Sequence, residues 1–371
     1  MIQRLTTKPL FEIGKNAKYR FNHLMGLPIA AALGNRSIEN QSLLSGRVSA
    51  DDFYYHVNSK LKVSELSVLF RRHIVETRRI LRGRALSSQK LIIAIDKTED
   101  LYWGDAEHNE FVTGGKREAS TNYAFRYLTA ASVMQGERFF FYVRPLTEKD
   151  INDALLVEEC LNELRTLGFN VGTALMDREF YNGTIILICN IQKIAYVVPA
   201  VKNEKLERRI KELRGEGKRF PRIIEGYEIG DEIANLILYE EKNDKEKIEV
   251  FGFITNLDAR EVAENVDTII ELYRLRWAVE NAHKFQDRFW ISTNSTNGVV
   301  RFFFFLLGVI FHNFWVLLRL LATEFGAVAI SIDVMKDILK EAYGLNTPLS
   351  YKHWQRELWV KILLGKNTTT N

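Results

Sequence analysis

The chain has 371 residues, 46% of them hydrophobic and 26% charged, with six prolines and 22 glycines. That composition excludes a linker or fibrous protein and fits a globular chain of two or three units with sizeable cores. The two cysteines, Cys160 and Cys189, exclude a disulfide framework and a four-cysteine zinc cluster and fit a reducing compartment. Net charge is only +4, but residues 1–90 carry 16 basic and 6 acidic residues, a local +10. The remaining 35 basic and 41 acidic residues leave −6. A basic first quarter ahead of a mildly acidic body is a footprint for a polyanion partner, with a solvated basic helix as the plain alternative.

Residues 1–90 read as helical. Leu24–Gly34 is apolar after basic residues, but Gly26 and Pro28 break it as a signal segment. Ser49-Ala50-Asp51-Asp52 is an N-cap with an acidic first turn. Leu66, Leu69, Ile74 and Ile80 then recur near helical spacing among Arg71, Arg72, Arg78, Arg79, Arg82 and Arg84. Helices with an arginine-dense end resemble a helix-turn-helix DNA-binding module, against a plain helical bundle.

The texture changes at Lys90. The run Lys90–Ile95 predicts a buried strand that stops at Asp96, and Tyr123–Val133 and Arg138–Val143 predict two more joined by a turn at 135–137. Lys149–Leu167 predicts a helix capped at Gly168, Asn170–Met176 a strand ending at Asp177, Tyr181–Gln192 a helix, and Ile194–Val198 a strand. A meander followed by alternating units implies a mixed α/β sheet with helices on both faces, the order of a ribonuclease-H-like fold. Residues 202–262 break the alternation with a charged helix and short strands at 227–229, 236–239 and 248–254, and read as a β-rich insertion. A long helix, 263–290, precedes a very apolar one at about 299–323. Phe302–Phe311 is ten apolar residues, short of the roughly 20 needed to span a membrane. With Arg301, His312 and Asn313 at its ends it reads as a buried core helix. The expected divisions are 1–89 (basic and helical), 90–201 (first part of the catalytic domain), 202–262 (insertion), 263–325 (its completion) and 326–371 (helical tail).

Asp96 and Asp177 each follow an apolar strand, so parallel neighbours would bring both carboxylates to one sheet edge, where open α/β sheets build sites. In the long helix, Tyr273, Arg276, Glu280, Lys284 and Asp287 share one face at 100° per residue. Leu272, Leu275, Ala278, Val279, Ala282, Phe285 and Phe289 share the other, read as the packing side. An ordinary solvated face with a Glu280–Lys284 pair remains open here, and Trp277 fits either core or ligand. Three converging carboxylates repel one another unless cations neutralise them. Two divalent ions would do so in phosphoryl transfer, and oxygen-only ligation favours Mg²⁺ or Mn²⁺.

These residues resemble the DDE transposases of prokaryotic insertion sequences, within the branch marked by Tyr-x2-Arg-x3-Glu. Here that motif is Tyr273, Arg276 and Glu280, with Asp96 in IIAIDKTED and Asp177 in ALMDREFY as the other two acids. The 103-residue step from Asp177 to Glu280 leaves room for the insertion that family carries. The best-known signature ends in a lysine seven residues after the glutamate. That position is Asp287, so Lys284 or Arg288 is the substitute. The resemblance implies Asp96, Asp177 and Glu280 as catalytic and metal-binding residues for two Mg²⁺ or Mn²⁺ ions. It implies Tyr273, Arg276, Lys284, Arg288 and Arg178 as DNA contacts. It further implies cleavage at terminal inverted repeats, transfer of the 3′-hydroxyl to target DNA, a homodimer or higher assembly on paired ends, and a cytoplasmic, nucleoid-associated protein without a membrane partner. A nuclease without strand transfer and a transposase-derived DNA-binding protein with a dead site are the alternatives.

Overall fold

The computed structural model describes residues 9–80, 90–133, 138–242, 246–324 and 330–343; the side chains of 116–117, 277–287 and 323–324 lie outside the description. Two compact units emerge. One holds residues 1–66, 285–295 and 299–371, the other 67–284 and 296–298. The first boundary thus falls inside a helix rather than at residue 89. That helix, 63–80, turns His73 onto Phe139 at 6.3 Å and pairs Arg71 with Glu163 at 3.2 Å, so its later turns belong to the sheet. The expected turn at 135–137 and the residues from 344 onward lie outside the described residues.

In the helical unit, α1 (Phe21–Gly34), α2 (Ile38–Ser45) and α3 (Ala50–Lys60) are followed by the start of α4 (Val63–Ile80). Ser37 and Ser49 cap α2 and α3 by accepting from the amides of Asn40 and Asp52. The apolar run 24–33 is buried inside α1 except at half-buried Gly26, as a core helix requires. After the sheet unit the chain returns with α9 (Gly298–Glu324) and α10 (Ile332–Ala342). Helix α9 is the one described helix long and apolar enough to cross a membrane, yet 89% of its apolar window is buried within the protein. Phe53 stacks on Phe304 at 6.3 Å, and Phe289 lies 5.8 Å from Phe311. Two of its polar groups are buried with partners: Arg301 donates to the Ser295 carbonyl at 2.6 Å, and the Trp315 indole donates to the Ile330 carbonyl at 2.9 Å.

Among the described residues the second unit is built on a nine-stranded sheet, in the order β2 (Val112–Glu118), β3 (Thr121–Ser132), β1 (Leu91–Tyr102), β5 (Val171–Met176), β6 (Ala195–Pro199), β9 (Ile248–Thr255), β8 (Glu232–Lys242) and β7 (Arg222–Ile229), with β4 (Phe140–Pro145) also on β3. Strands β1 (Leu91–Tyr102), β3 (Thr121–Ser132) and β4 (Phe140–Pro145) pair antiparallel, with β2 (Val112–Glu118) on the same edge of β3 as β4. Helix α5 (Asp153–Thr166) leads to β5 (Val171–Met176), and α6 (Gly183–Gln192) leads to β6 (Ala195–Pro199). Both strands run parallel to β1. Helix α5 starts later than its apolar pattern predicts. Asp150 is taken up by Arg144 at 2.6 Å and the Thr147 amide at 2.8 Å, leaving Asn152 to cap Ala154.

Within residues 202–262, read as a β-rich insertion, the strands join this sheet. After α7 (Glu204–Gly215), strands β7 (Arg222–Ile229), β8 (Glu232–Lys242) and β9 (Ile248–Thr255) form a meander whose last member pairs antiparallel with β6, Val197 opposite Thr255. The Asn256 side chain carries the ladder one step further, accepting from the Tyr196 amide at 3.1 Å and donating to the Ile194 carbonyl at 3.0 Å. Helix α8 (Ala259–Gln286) follows, started by Asp258, which accepts from the Arg260 amide at 2.9 Å.

Candidate active site

Asp96 does not end its strand. Beta-bridge partners on β3 continue through Tyr102, so β1 runs six residues past the predicted stop. What ends near Asp96 is the parallel pairing with β5, whose last register pair is Ile95 with Met176. Asp96 and Asp177 are therefore the next position on two strands about 4.8 Å apart, and side chains at matched positions leave a sheet on the same face. Asp177 keeps an extended backbone and then caps a short 3-10 helix, Arg178–Phe180, by accepting from the Arg178 amide. Asp177 is half-buried; Arg178 and Glu179 are exposed.

Helix α8 reaches this point with the face opposite to the one predicted. Val262, Val266, Ile269 and Ile270 set its buried stripe, and Tyr273 and Arg276 continue it at 6% and 4% exposure. Leu272 and Leu275, expected to pack, are only half-buried. The reason is periodicity: the apolar residues of the first turns lie on the same side as Tyr273 and Arg276, so burying them carries the polar pair inward. Tyr273 and Arg276 are thus both engaged with protein groups. Arg276 Nη1 lies 3.6 Å from Asp96 Oδ1, and Arg276 Nε donates to the Tyr273 hydroxyl at 3.0 Å. The Tyr273 hydroxyl donates to the Met176 carbonyl at 3.4 Å, next to Asp177. The ring of Tyr273 packs 4.5 Å from Phe253 on β9, which stacks at 5.3 Å on Tyr239 of β8. Burial beside Glu241 pushes the Tyr239 phenol up to about 12.

Position 280 is four residues past Arg276, hence one turn further along this stripe of α8. The side chains of Glu280 and Lys284 lie outside the described residues. Arg288 is exposed and belongs to the helical unit.

Two cations, half-buried Lys97 and buried Arg138, escaped the sequence reading. Lys97, on the opposite face of β1 from Asp96, reaches Asp153 at 2.8 Å and Glu179 at 3.4 Å, tying the start of α5 to the turn after Asp177. Strand alternation could have placed it; its two partners are set by topology. Arg138 donates to the Leu275 carbonyl at 3.0 Å, in the same turn of α8 as Arg276, and no sequence signal marks it.

Among the described residues no group of three metal-ligand side chains is gathered. Asp96 on β1 and Asp177 just after β5 offer carboxylate oxygens, a chemistry that favours a hard divalent cation over zinc.

Residues 87–313 match the family model of the transposase DDE domain. The chain is also similar in structure to piggyBac transposase, solved by cryo-EM as a synaptic complex with hairpin DNA. The TM-score is 0.59 at 13% identity, over 100% of this chain and 82% of that one, a likeness of fold. Comparison with curated proteins gives no match. The family match spans more than half of the chain and takes in both in-register aspartates and the helix docked beside them: the protein belongs to the transposase DDE domain family.

Proposed function

We propose that this chain cuts DNA at the ends of a mobile element and joins the freed 3′-hydroxyl to target DNA. The observation that carries the reading is the register of Asp96 beside Asp177 in a chain of this family. With Glu280 as third acid, these residues would hold Mg²⁺ or Mn²⁺. A bound pair of such ions supplies Lewis acidity to the attacking and leaving oxygens of an in-line displacement. The protein's own part is to fix the carboxylates and to hold the phosphodiester. Arg178, exposed immediately after Asp177, is placed to meet a phosphate, and Lys284 and Arg288 are the further candidates.

The antiparallel run β4-β3-β1 continuing into parallel β5 and β6 supports a ribonuclease-H-like core. The spacing of Tyr273, Arg276 and Glu280 supports the insertion-sequence branch and a prokaryotic, cytoplasmic setting. The piggyBac likeness supports duplex DNA as partner and an assembly of more than one copy on paired ends. The basic N-terminal helices remain the candidate for end recognition. Part of that charge is already used internally, since Arg71 pairs with Glu163 and Arg79 with Glu76, while Arg72 is exposed.

The test uses the full chain, Mg²⁺, a duplex carrying the inverted repeats that flank its coding sequence, and a target plasmid. Joined end–plasmid product is the expected outcome. Nicking with no joined product under any condition would make the chain a nuclease and overturn strand transfer.

A further inference from the structure

An arginine side chain stays protonated in proteins, so one that is 4% exposed requires a counter-charge and partners for its fork of donors. Arg276 has both within reach: Asp96 at 3.6 Å on one side and the Tyr273 hydroxyl at 3.0 Å on the other. Tyr273 in turn donates to the carbonyl of Met176 at 3.4 Å. The connected contacts begin on β1 at the first aspartate and end on β5 at the residue before the second, with helix α8 between them. Arg138 holds the same helical turn through the Leu275 carbonyl, and Phe253 holds the Tyr273 ring.

We propose that Tyr273 and Arg276 are positioning residues, a buried clamp that fixes α8 to β1 and β5 so that the turn at residue 280 is aligned with Asp96 and Asp177 before DNA or metal binds. The clamp rests on the functional reading above for its purpose, but not for its existence. It also places one positive charge against the Asp96 carboxylate, which favours its ionised form in the absence of divalent ions. A phosphate-contacting role makes a different demand, because contacts to a DNA backbone are made by accessible groups and appear in the salt dependence of binding.

The experiment has two arms on the full chain. In the first, metal-free thermal melts compare wild type, Asp96→Asn, Arg276→Gln and the double variant. Arg276→Gln removes the positive charge beside a carboxylate whose side chain is 13% exposed and is expected to lower the melting temperature by roughly 5–10 °C. The double variant is expected to lose clearly less than the sum of the singles. In the second, binding to a 30-base-pair duplex in EDTA is followed across salt concentrations, beside cleavage of an end substrate in Mg²⁺. Tyr273→Phe, which keeps the ring and so the fold, is expected to keep the salt slope of wild type while its turnover falls about tenfold. Arg276→Lys, which can reach Asp96 but cannot fork to Tyr273, is expected to recover part of the turnover lost in Arg276→Gln. Additive melts, or a salt slope shallower by about 0.9 in Arg276→Gln, would overturn the clamp in favour of a phosphate contact. A wild type that neither binds nor cuts DNA would sink the functional reading instead, and the melts would still decide the clamp.

Discussion

Ile95 and Met176 form the last register pair between β1 and β5, and the residue after each is an aspartate. The two strands begin 80 residues apart in the chain, and their pairing brings these two positions side by side without any loop having to fold over the sheet. If the pair holds divalent ions, Asp96→Asn removes a ligand and also the partner of Arg276. Its cleavage rate should fall by roughly 10³-fold or more, with duplex binding in EDTA changed little, as read by gel assay and anisotropy.

Gly183 opens α6, and a Cβ built there would stand 2.7 Å from the Ile229 carbonyl in the turn between β7 and β8. Backbone has no rotamer with which to retreat. Gly183→Ala should cost about 1–3 kcal/mol in chemical denaturation, whereas Gly215→Ala, with open space around it, should cost little.

Burial holds the His73 imidazole far below its ordinary 6.5, at about 3, between Phe70 and Phe139. The folded state keeps it neutral while the unfolded chain takes up a proton. Its contribution is therefore fully present above pH 6.5 and lost progressively as pH falls toward 3. Across that window His73→Gln should flatten the stability–pH curve by up to about 1.4 kcal/mol per unit, measured by urea titrations at several pH values.

Helix α9 passes a length-and-hydropathy test for a membrane span, but Phe305 within it is only 2% exposed in a packed helical unit. Phe305→Lys should destabilise the protein by more than about 4 kcal/mol and drive it into the insoluble fraction. A folded, vesicle-bound Phe305→Lys protein would contradict the core assignment.

The strands, the two aspartates and the core helix were legible because each carries a local signal: an apolar run, an abrupt carboxylate, an uninterrupted buried stripe. The continuation of β1 past Asp96 was not, because it depends on β3 lying alongside, and KTEDLY beyond the acid has no apolar–polar alternation of its own. That the strands within 202–262 extend the central sheet was not legible for the same reason: the strands were visible, but only the pairing of β9 with β6 shows where they join. The face of α8 was misread because Tyr273 and Arg276 were counted as polar and therefore outward. Val262, Val266, Ile269 and Ile270 already fixed the inward side. A buried arginine is invisible to a hydropathy pattern until its partner, here Asp96, is known.

The most direct measurement is Mg²⁺-dependent nicking of a duplex carrying the element's end, by wild type beside Asp177→Asn and Glu280→Gln. Cleavage by wild type that disappears in EDTA and in both variants is the predicted result. Equal nicking by wild type and Asp177→Asn would contradict it, since the in-register pair of aspartates could not then be the seat of the chemistry.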